Sequence, residues 1–197
     1  NSGGGNLLLS WVAPDMSPAP GPLRELWFQW WQRWGSGIRV QANAGSDRGS
    51  GNWSYTKDLD FNNLTGMTGR VTIGYGQGQS YHVHGYSPGR TLIARGWGWR
   101  TAQRGDVGSD QWIKYQVHLK ADDGVKKNGE AELWVNGVQR LRVRDIDWSN
   151  SNPTWAGWEN VQISNNQSNV AEDSTLATSY TDYDDIKISV VGYITQD

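Results

Sequence analysis

The chain has 197 residues, no cysteine and a formal net charge of −2. One β-sandwich domain can reach this length undivided. Without cysteine the chain has no disulfide, thiolate chemistry or cysteine–zinc site. The balanced charge lacks the basic excess that nucleic-acid binding requires, and no apolar run is long enough to predict membrane insertion.

The aromatic composition is unusual, with 13 tryptophans but only 2 phenylalanines. This number of tryptophans exceeds what a core of this size needs, which predicts that some of them lie at the surface. Exposed tryptophan stacks on flat apolar ligands, and the C–H face of a sugar is one of these. The alternative is that the tryptophans fill a large sandwich core.

Residues 1–22 are rich in glycine and proline and predict an extended N-terminal arm with one short strand, Leu7–Val12. Residues 23–197 predict a single domain of short alternating segments, separated by glycine, asparagine, aspartate and serine clusters, which is typical of all-β proteins. The predicted strands of this domain are 26–34, 57–61, 71–75, 81–86, 92–100, 112–120, 130–135, 138–144, 158–165 and 185–191.

The first long strand has two different faces, because successive side chains of a strand alternate. Leu26, Phe28, Trp30 and Trp34 are the predicted core residues. The opposite face carries Trp27, Gln29, Trp31 and Arg33, which suits a half-exposed surface.

The hairpin around Asn136-Gly137 and the last strand give further predictions about the fold. Asn136-Gly137 separates two alternating segments, and this pair favours a type I′ hairpin turn. The last strand predicts Ile186, Ile188 and Val190 in the core. Charged residues on the outer face of the hairpin predict a solvated ladder of ion pairs.

Three segments resemble a known family: DQWIKYQVHLKADDGVKKNGEAELWVNGVQRLRVRDIDW, WENVQISNN and YDDIKIS. They resemble the second half of the concanavalin A-like, laminin G-like jelly rolls, and most closely the compact polysaccharide-lyase-like proteins. The resemblance covers residues 23–191. It implies an all-β fold, a two-sheet antiparallel β-sandwich whose concave sheet holds a polysaccharide.

The resemblance also implies where a site lies. Alginate-lyase-like members carry a Gln-x-His strand and a late strand with a catalytic tyrosine. Tyr81–Gly85 is similar to the Gln-x-His strand, with His82 in place of the glutamine. Asn160–Asn166 is similar to the late strand but has no tyrosine, so cleavage and binding without cleavage both remain open.

A lyase that acts on uronates must neutralise a carboxylate, remove the C5 proton and protonate the leaving oxygen. Our hypothesis assigns His84 as the base and Tyr86 as the acid, with Arg95 and Gln162 on the substrate carboxylate. His82 is a further catalytic candidate. The alternative is that these histidines are ordinary polar positions on an exposed strand.

A binding module needs only a stacking surface and groups that recognise hydroxyls. The candidate substrate-binding residues are Trp27, Trp31, Arg33, Trp97, Trp99, Trp155, Trp158 and Gln162. Glycoside hydrolysis is disfavoured, because the clustered E-x-D-x-x-E pattern of jelly-roll glucanases is absent.

A third alternative is a structural or decoration domain of a virion or extracellular assembly, in which the N-terminal arm docks to a neighbouring copy. Every alternative places the protein outside the cell, or on a cell or virion surface. The partner is a polysaccharide or another glycan in the first two cases.

Asp184 and Asp185 precede the final strand, where the resemblance implies a structural Ca²⁺ ion. Calcium requires about six to eight oxygen ligands, so backbone oxygens would complete the site. We expect no other cofactor.

Overall fold

The computed structural model describes residues 6–10, 21–34, 38–40, 55–62, 70–76, 80–86, 92–97, 110–149, 153–168, 170–172 and 181–195. Regular structure in these ranges is entirely β-strand. The strands are β1 (Asn6–Ser10), β2 (Glu25–Trp34), β3 (Ile38–Val40), β4 (Tyr55–Asn62), β5 (Arg70–Gly76), β6 (Ser80–Tyr86), β7 (Leu92–Trp97), β8 (Trp112–Lys120), β9 (Gly129–Val135), β10 (Val138–Ile146), β11 (Asn160–Ser168), β12 (Val170–Glu172) and β13 (Thr181–Ser189). Within the described residues, no helix is long and apolar enough to cross a membrane.

The strands form two main antiparallel sheets. One has six strands in the order β1-β11-β4-β5-β6-β7, and the other has five in the order β10-β9-β8-β2-β13. β12 and β3 form a separate two-stranded pair. This arrangement confirms the predicted all-β jelly-roll sandwich.

The core lies between the two main sheets. Leu26, Phe28 and Trp30 of β2 are buried, as the alternation predicted, and they face buried residues of the six-stranded sheet. The Phe28 ring meets the Phe61 ring of β4 edge to face, with centroids 5.4 Å apart. This contact joins the sheets through aromatic packing.

The Asn136-Gly137 turn has the predicted type I′ character, because both residues have positive φ angles, 49° and 77°. The asparagine also ties the hairpin to β8. Its Oδ1 accepts a hydrogen bond from the Lys114 N–H at 2.9 Å, and its own N–H donates to the Lys114 carbonyl at 2.8 Å. The turn residue therefore fixes the hairpin against the adjacent strand.

The last strand differs from the prediction. It begins at Thr181, and a bulge at Asp185, whose φ is 47°, shifts the register between Asp184 and Lys187. Ile186 packs against the core, but Ile188 and Val190 are exposed. The prediction failed for these two because β13 is an edge strand and ends at Ser189, before Val190.

The N-terminal arm contributes one strand to the domain. β1 (Asn6–Ser10) pairs with β11 at one edge of the six-stranded sheet, and the predicted strand end at Val12 lies outside the described residues. Residues 11–20 lie outside the described residues, so docking of the arm to a neighbouring copy stays a prediction. The division of the chain into an arm and a domain at residue 22 also stays a prediction.

A tight backbone approach closes one end of the sandwich. Leu23 and Trp158 exchange backbone hydrogen bonds of 2.8 and 2.9 Å. Gly157 precedes this bridge with a φ of 117°, and an added Cβ would collide with the Leu23 carbonyl. Gly137 also has positive φ, but a Cβ there would meet no atom within 4 Å.

We therefore expect Gly157→Ala to lower the free energy of unfolding by about 3 kcal/mol or more, because it adds a backbone clash to conformational strain. Gly137→Ala should cost about 1 kcal/mol from strain alone. Urea unfolding of both variants and the wild type tests this. Equal losses would contradict the close approach at Gly157.

Candidate functional site

The position of Gln162 defines the outward face of the six-stranded sheet. Its neighbours on β11, Val161 and Ile163, are buried in the core, whereas Gln162 is partly exposed. Because side chains alternate along a strand, Gln162 lies on the face turned away from the core. We call this surface the six-stranded face.

The strand register carries this face across the sheet. Gln162 pairs with Asp60, Asp60 with Thr72, Thr72 with His84, and His84 with Arg95. Residues paired directly across antiparallel strands lie on the same face. These five positions therefore form one row across five strands, about 19 Å long at the usual strand spacing.

Two shorter rows flank this central row on the six-stranded face. One contains Lys57, Gly74, His82 and Trp97. The other contains Asn160, Asn62, Arg70 and Tyr86, which follow from pairing and alternation. The three rows together hold three basic residues, two histidines and one aspartate.

The backbone thus brings most of the predicted catalytic set to one face. The positions of His82, His84, Tyr86, Arg95 and Gln162 lie in adjacent rows. Trp97, a predicted binding residue, shares that face, and Trp99 lies outside the described residues. The chemical roles of these residues stay predictions.

Asn160 is a candidate that the sequence did not single out. It begins β11 two residues before Gln162, on the same face, and pairs with Ser10 and Asn62. Its side chain is 1% exposed, and neither Oδ1 nor Nδ2 has a hydrogen-bond partner among the described residues. Leaving a buried polar group unsatisfied costs about 1–3 kcal/mol. Sequence gives no signal for this, because burial of an asparagine depends on tertiary packing.

Trp27, Trp31 and Arg33 lie on the other side of the sandwich. They project from β2 away from the core, on the outer face of the five-stranded sheet, which we call the five-stranded face. They cannot share a ligand site with His84 and Arg95. The fold therefore separates these three predicted binding residues from Trp97 and from the predicted catalytic residues, and the sequence pattern could not show this because it does not say which sheet a strand joins.

Contacts within the protein already engage two of these three side chains. Trp27 stacks on His118 with ring centroids 4.2 Å apart and an interplanar angle of 9°. The Arg33 guanidinium donates to Asp182 Oδ2 at 2.7 and 3.0 Å and lies over the Trp112 ring. Its charge is therefore balanced within the fold.

Trp155 and Trp158 belong to the core. They are 3% and 0% exposed and pack edge to face with centroids 5.2 Å apart. Trp158 packs in the same way against Trp148. Neither can stack on a sugar from solvent, which corrects their prediction as platform residues: here the alternative of core filling applies.

β8 contains the sequence Gln116-Val117-His118, which matches Gln-x-His literally, and its two polar side chains have a structural role. His118 is buried on the five-stranded face, with Nδ1 2.8 Å from Glu132 Oε2 and Nε2 2.9 Å from Glu25 Oε1. The Gln116 amide faces the backbone N–H and carbonyl of Ile194 at 3.2 Å each. Both side chains are held by the protein itself.

Asp184 and Asp185 lie within β13 and not before the last strand as predicted. In the described residues, no group of three or more histidine, cysteine or acidic residues comes together. Asp185 instead accepts a hydrogen bond from Gln29 at 3.2 Å and pairs with Lys187 at 3.2 Å. A Ca²⁺ ion at Asp184 and Asp185, with backbone oxygens completing its ligands, stays a prediction.

The charged ladder on the hairpin has the predicted ion pairs. Arg142 Nη2 lies 2.9 Å from Glu130 Oε2, and its Nε lies 2.9 Å from Glu132 Oε1. Arg144 approaches Glu130 at 3.7 Å. The hydrogen bond from Arg142 is the largest factor that lowers the pKa of the Glu130 carboxyl.

Because the pKa of the Glu130 carboxyl is lowered, the contribution of the ladder to the free energy of unfolding depends on pH. A carboxyl whose pKa is lower in the folded state stabilises the fold above its unfolded pKa of about 4.3, and this contribution is lost as pH falls through the folded value. We expect Arg142→Met to destabilise the protein near neutral pH and to have a smaller effect near pH ~3. Chemical unfolding at several pH values measures this difference.

Arg140→Met is the matched control, because Arg140 is on the same strand and makes no ion pair among the described contacts. Its effect should not change with pH. An Arg142→Met effect that is constant from neutral to acid pH would contradict the Glu130 pairing.

Comparison with known proteins identifies the fold. No family model matches the sequence, and no curated protein matches it. Among solved structures, the alginate lyase Aly36B superposes with a TM-score of 0.57 at 14% identity, over 94% of this chain and 80% of that one. The PL-14 alginate lyase from Aplysia kurodai gives 0.54 at 7%, over 93% and 81%. The endo-β-1,4-glucuronan lyase from Trichoderma reesei gives 0.50 at 10%, over 93% and 79%.

These similarities define the class of fold. The chain shares the two-sheet antiparallel jelly-roll fold of these polysaccharide lyases, as the sequence resemblance implied.

Proposed function

We propose that the protein binds an acidic polysaccharide along the six-stranded face and cleaves it by β-elimination at a uronate residue. The observation that carries this proposal is the row of Gln162, Asp60, Thr72, His84 and Arg95 across five strands. The likeness to two alginate lyases and a glucuronan lyase supports a uronate polymer as the substrate class. Such polymers lie outside cells, so an extracellular or surface location is part of the proposal.

The residue types of the six-stranded face suit a polyanion. Lys57, Arg70 and Arg95 lie in its three rows, with Asp60 as the one acidic residue of those rows. The net charge of the whole chain is −2. The face is therefore more basic than the protein as a whole, and a local excess of one charge attracts a ligand of the opposite sign.

The proposed chemistry uses His84 and the positions next to it on this face. Arg95, which pairs with His84, holds the uronate carboxylate and stabilises the negative charge that develops on it. Gln162 lies at the opposite end of the row, about 19 Å from Arg95 at the usual strand spacing, so it contacts a different sugar of the polymer. His84 removes the C5 proton, the electron pair forms the C4–C5 double bond, and the C4–O bond breaks. Tyr86, two residues along β6 from His84 and on the same face, protonates the departing oxygen.

One observation favours a second candidate function, binding without cleavage. β11 contains no tyrosine, whereas the resemblance implies a catalytic tyrosine on the corresponding strand. In that case Arg95 and Gln162 recognise the polymer and no base acts. Product formation separates the two candidates.

The first test follows the near-ultraviolet absorbance of unsaturated uronate ends with alginate, glucuronan and a neutral glucan as substrates. We expect product from a uronate polymer only. His84→Ala should lower kcat by about 100-fold or more, the usual contribution of a general base. Arg95→Ala should lower kcat/KM.

Two variants on the five-stranded face serve as controls. Arg144→Ala matches Arg95→Ala in chemistry, and Trp31→Ala removes a predicted stacking residue; both should leave turnover unchanged. Full activity in His84→Ala would disprove the assigned base. Retention on immobilised polyuronate without product would establish binding without cleavage.

Salt provides an independent test of the polyanion. Raising NaCl from about 0.05 to about 0.5 M shortens the distance over which charges act, from about 14 to about 4 Å. We expect the affinity for oligouronate to fall over this range, as measured by titration calorimetry. Affinity that does not change with salt would contradict recognition through Lys57, Arg70 and Arg95.

A further inference from the structure

Two basic residues of the six-stranded face lie on opposite sides of the central row, on neighbouring strands. Arg70 of β5 belongs to the flanking row that contains Tyr86, its direct cross-strand partner. Lys57 of β4 belongs to the other flanking row, where it pairs with Gly74. Strands are about 5 Å apart, and residues of one face are about 7 Å apart along a strand. Each basic residue is therefore one row from the central row.

The central row between these two residues has a different charge. On β4 and β5 it contains Asp60 and Thr72, which pair with each other. A carboxylate at Asp60 repels the carboxylates of a polyanion, whereas its oxygens can accept hydrogen bonds from sugar hydroxyls. A polyuronate that follows the central row is therefore favoured when its carboxylates are directed to the two sides of the row, where Arg70 and Lys57 lie.

The spacing of the strands suits one sugar for each strand. Neighbouring strands are about 5 Å apart, which is close to the length of one 1,4-linked pyranose. In an extended chain of such sugars, successive residues face opposite ways, so their carboxylates lie alternately on the two sides of the chain. Arg70 and Lys57 have the same alternation, because they lie on opposite sides of the row and on successive strands.

We propose that Arg70 and Lys57 are specificity-determining residues that bind the carboxylates of two successive sugars, one on each side of the chain. With the reacting uronate over His84, Arg70 binds the carboxylate of the next sugar, which lies over Thr72. Lys57 binds the carboxylate of the following sugar, which lies over Asp60. The preferred ligand is then a polymer with an acidic group on every sugar. This inference rests on the function proposed above, but it requires only binding and not cleavage.

The experiment measures affinity by titration calorimetry with an alginate tetrasaccharide and a glucuronan tetrasaccharide, each also with its carboxyls reduced to alcohols. Arg70→Gln and Lys57→Gln should each weaken binding of the acidic form about tenfold or more, because each removes hydrogen bonds between charged groups. Neither should change binding of the reduced form. Arg70→Lys keeps the charge and should retain part of the affinity.

The double variant tests whether the two cations contact different sugars. Independent contributions add, so Arg70→Gln combined with Lys57→Gln should weaken binding about a hundredfold or more. If both residues bound one carboxylate, the second substitution would cost little more than the first. Arg144→Gln and Lys126→Gln are the matched controls, since Arg144 is exposed on β10 and Lys126 is exposed between β8 and β9. Both controls should keep the affinity of the wild type.

An ion pair with Asp60 is the alternative role for Arg70. Asp60 lies diagonally across from Arg70, because its partner Thr72 is two residues from Arg70 on β5, and opposite charges at such positions stabilise a sheet. In that case Asp60→Asn and Arg70→Gln would lower the unfolding temperature equally and leave tetrasaccharide binding unchanged. Under our proposal, Asp60→Asn strengthens binding of the acidic form, because it removes a like charge beneath the chain.

The outcomes separate this inference from the proposed function. If the wild type binds an acidic tetrasaccharide and the Arg70 and Lys57 variants bind it equally well, or if either glutamine variant fails to fold, the inference is overturned while the proposed function stands. If the wild type binds neither tetrasaccharide, both are overturned. Weaker binding by both single variants, with an additive double variant and unchanged binding of the reduced form, supports the inference.

Discussion

Burial of one face of the six-stranded sheet is the constraint on which the candidate site depends. Four apolar side chains of this sheet pack into the core opposite β2: Leu59 and Phe61 of β4, and Val161 and Ile163 of β11. Shifting either strand by one residue would expose these apolar side chains and bury polar ones. The residues between them must therefore face outward, and backbone pairing extends that orientation through β5 and β6 to Arg95.

Two bulges place Lys57, which belongs to a flanking row, on the six-stranded face. The register shifts between Lys57 and Leu59 on β4, and between Ile163 and Asn166 on β11. Because the shifts occur side by side on paired strands, Lys57 stays opposite Asn166 and stays on the six-stranded face. Bulges redirect side chains in this way near functional surfaces.

The two outer faces of the sandwich can be compared by how their buried polar groups are satisfied. On the five-stranded face, His118 lies between two glutamates, Gln116 holds Ile194, and Arg33 pairs with Asp182. These groups have partners within the protein. Among the described residues, each face also has one buried side chain with an unsatisfied atom, Gln29 Oε1 on the five-stranded face and the Asn160 amide on the six-stranded face.

The sequence by itself determined the all-β class, the inward residues of β2 and the type I′ turn at Asn136-Gly137, because alternation and turn chemistry are local. It also grouped His82, His84 and Tyr86, since residues two apart on a strand share a face. Only the tertiary structure decided the rest. It buried Trp155 and Trp158, separated Trp27 from His84, exposed Ile188 at a sheet edge and left the Asn160 amide without a partner among the described residues. Each of these depends on which strands become neighbours and which sheet they join, and those contacts connect residues that are far apart in the chain.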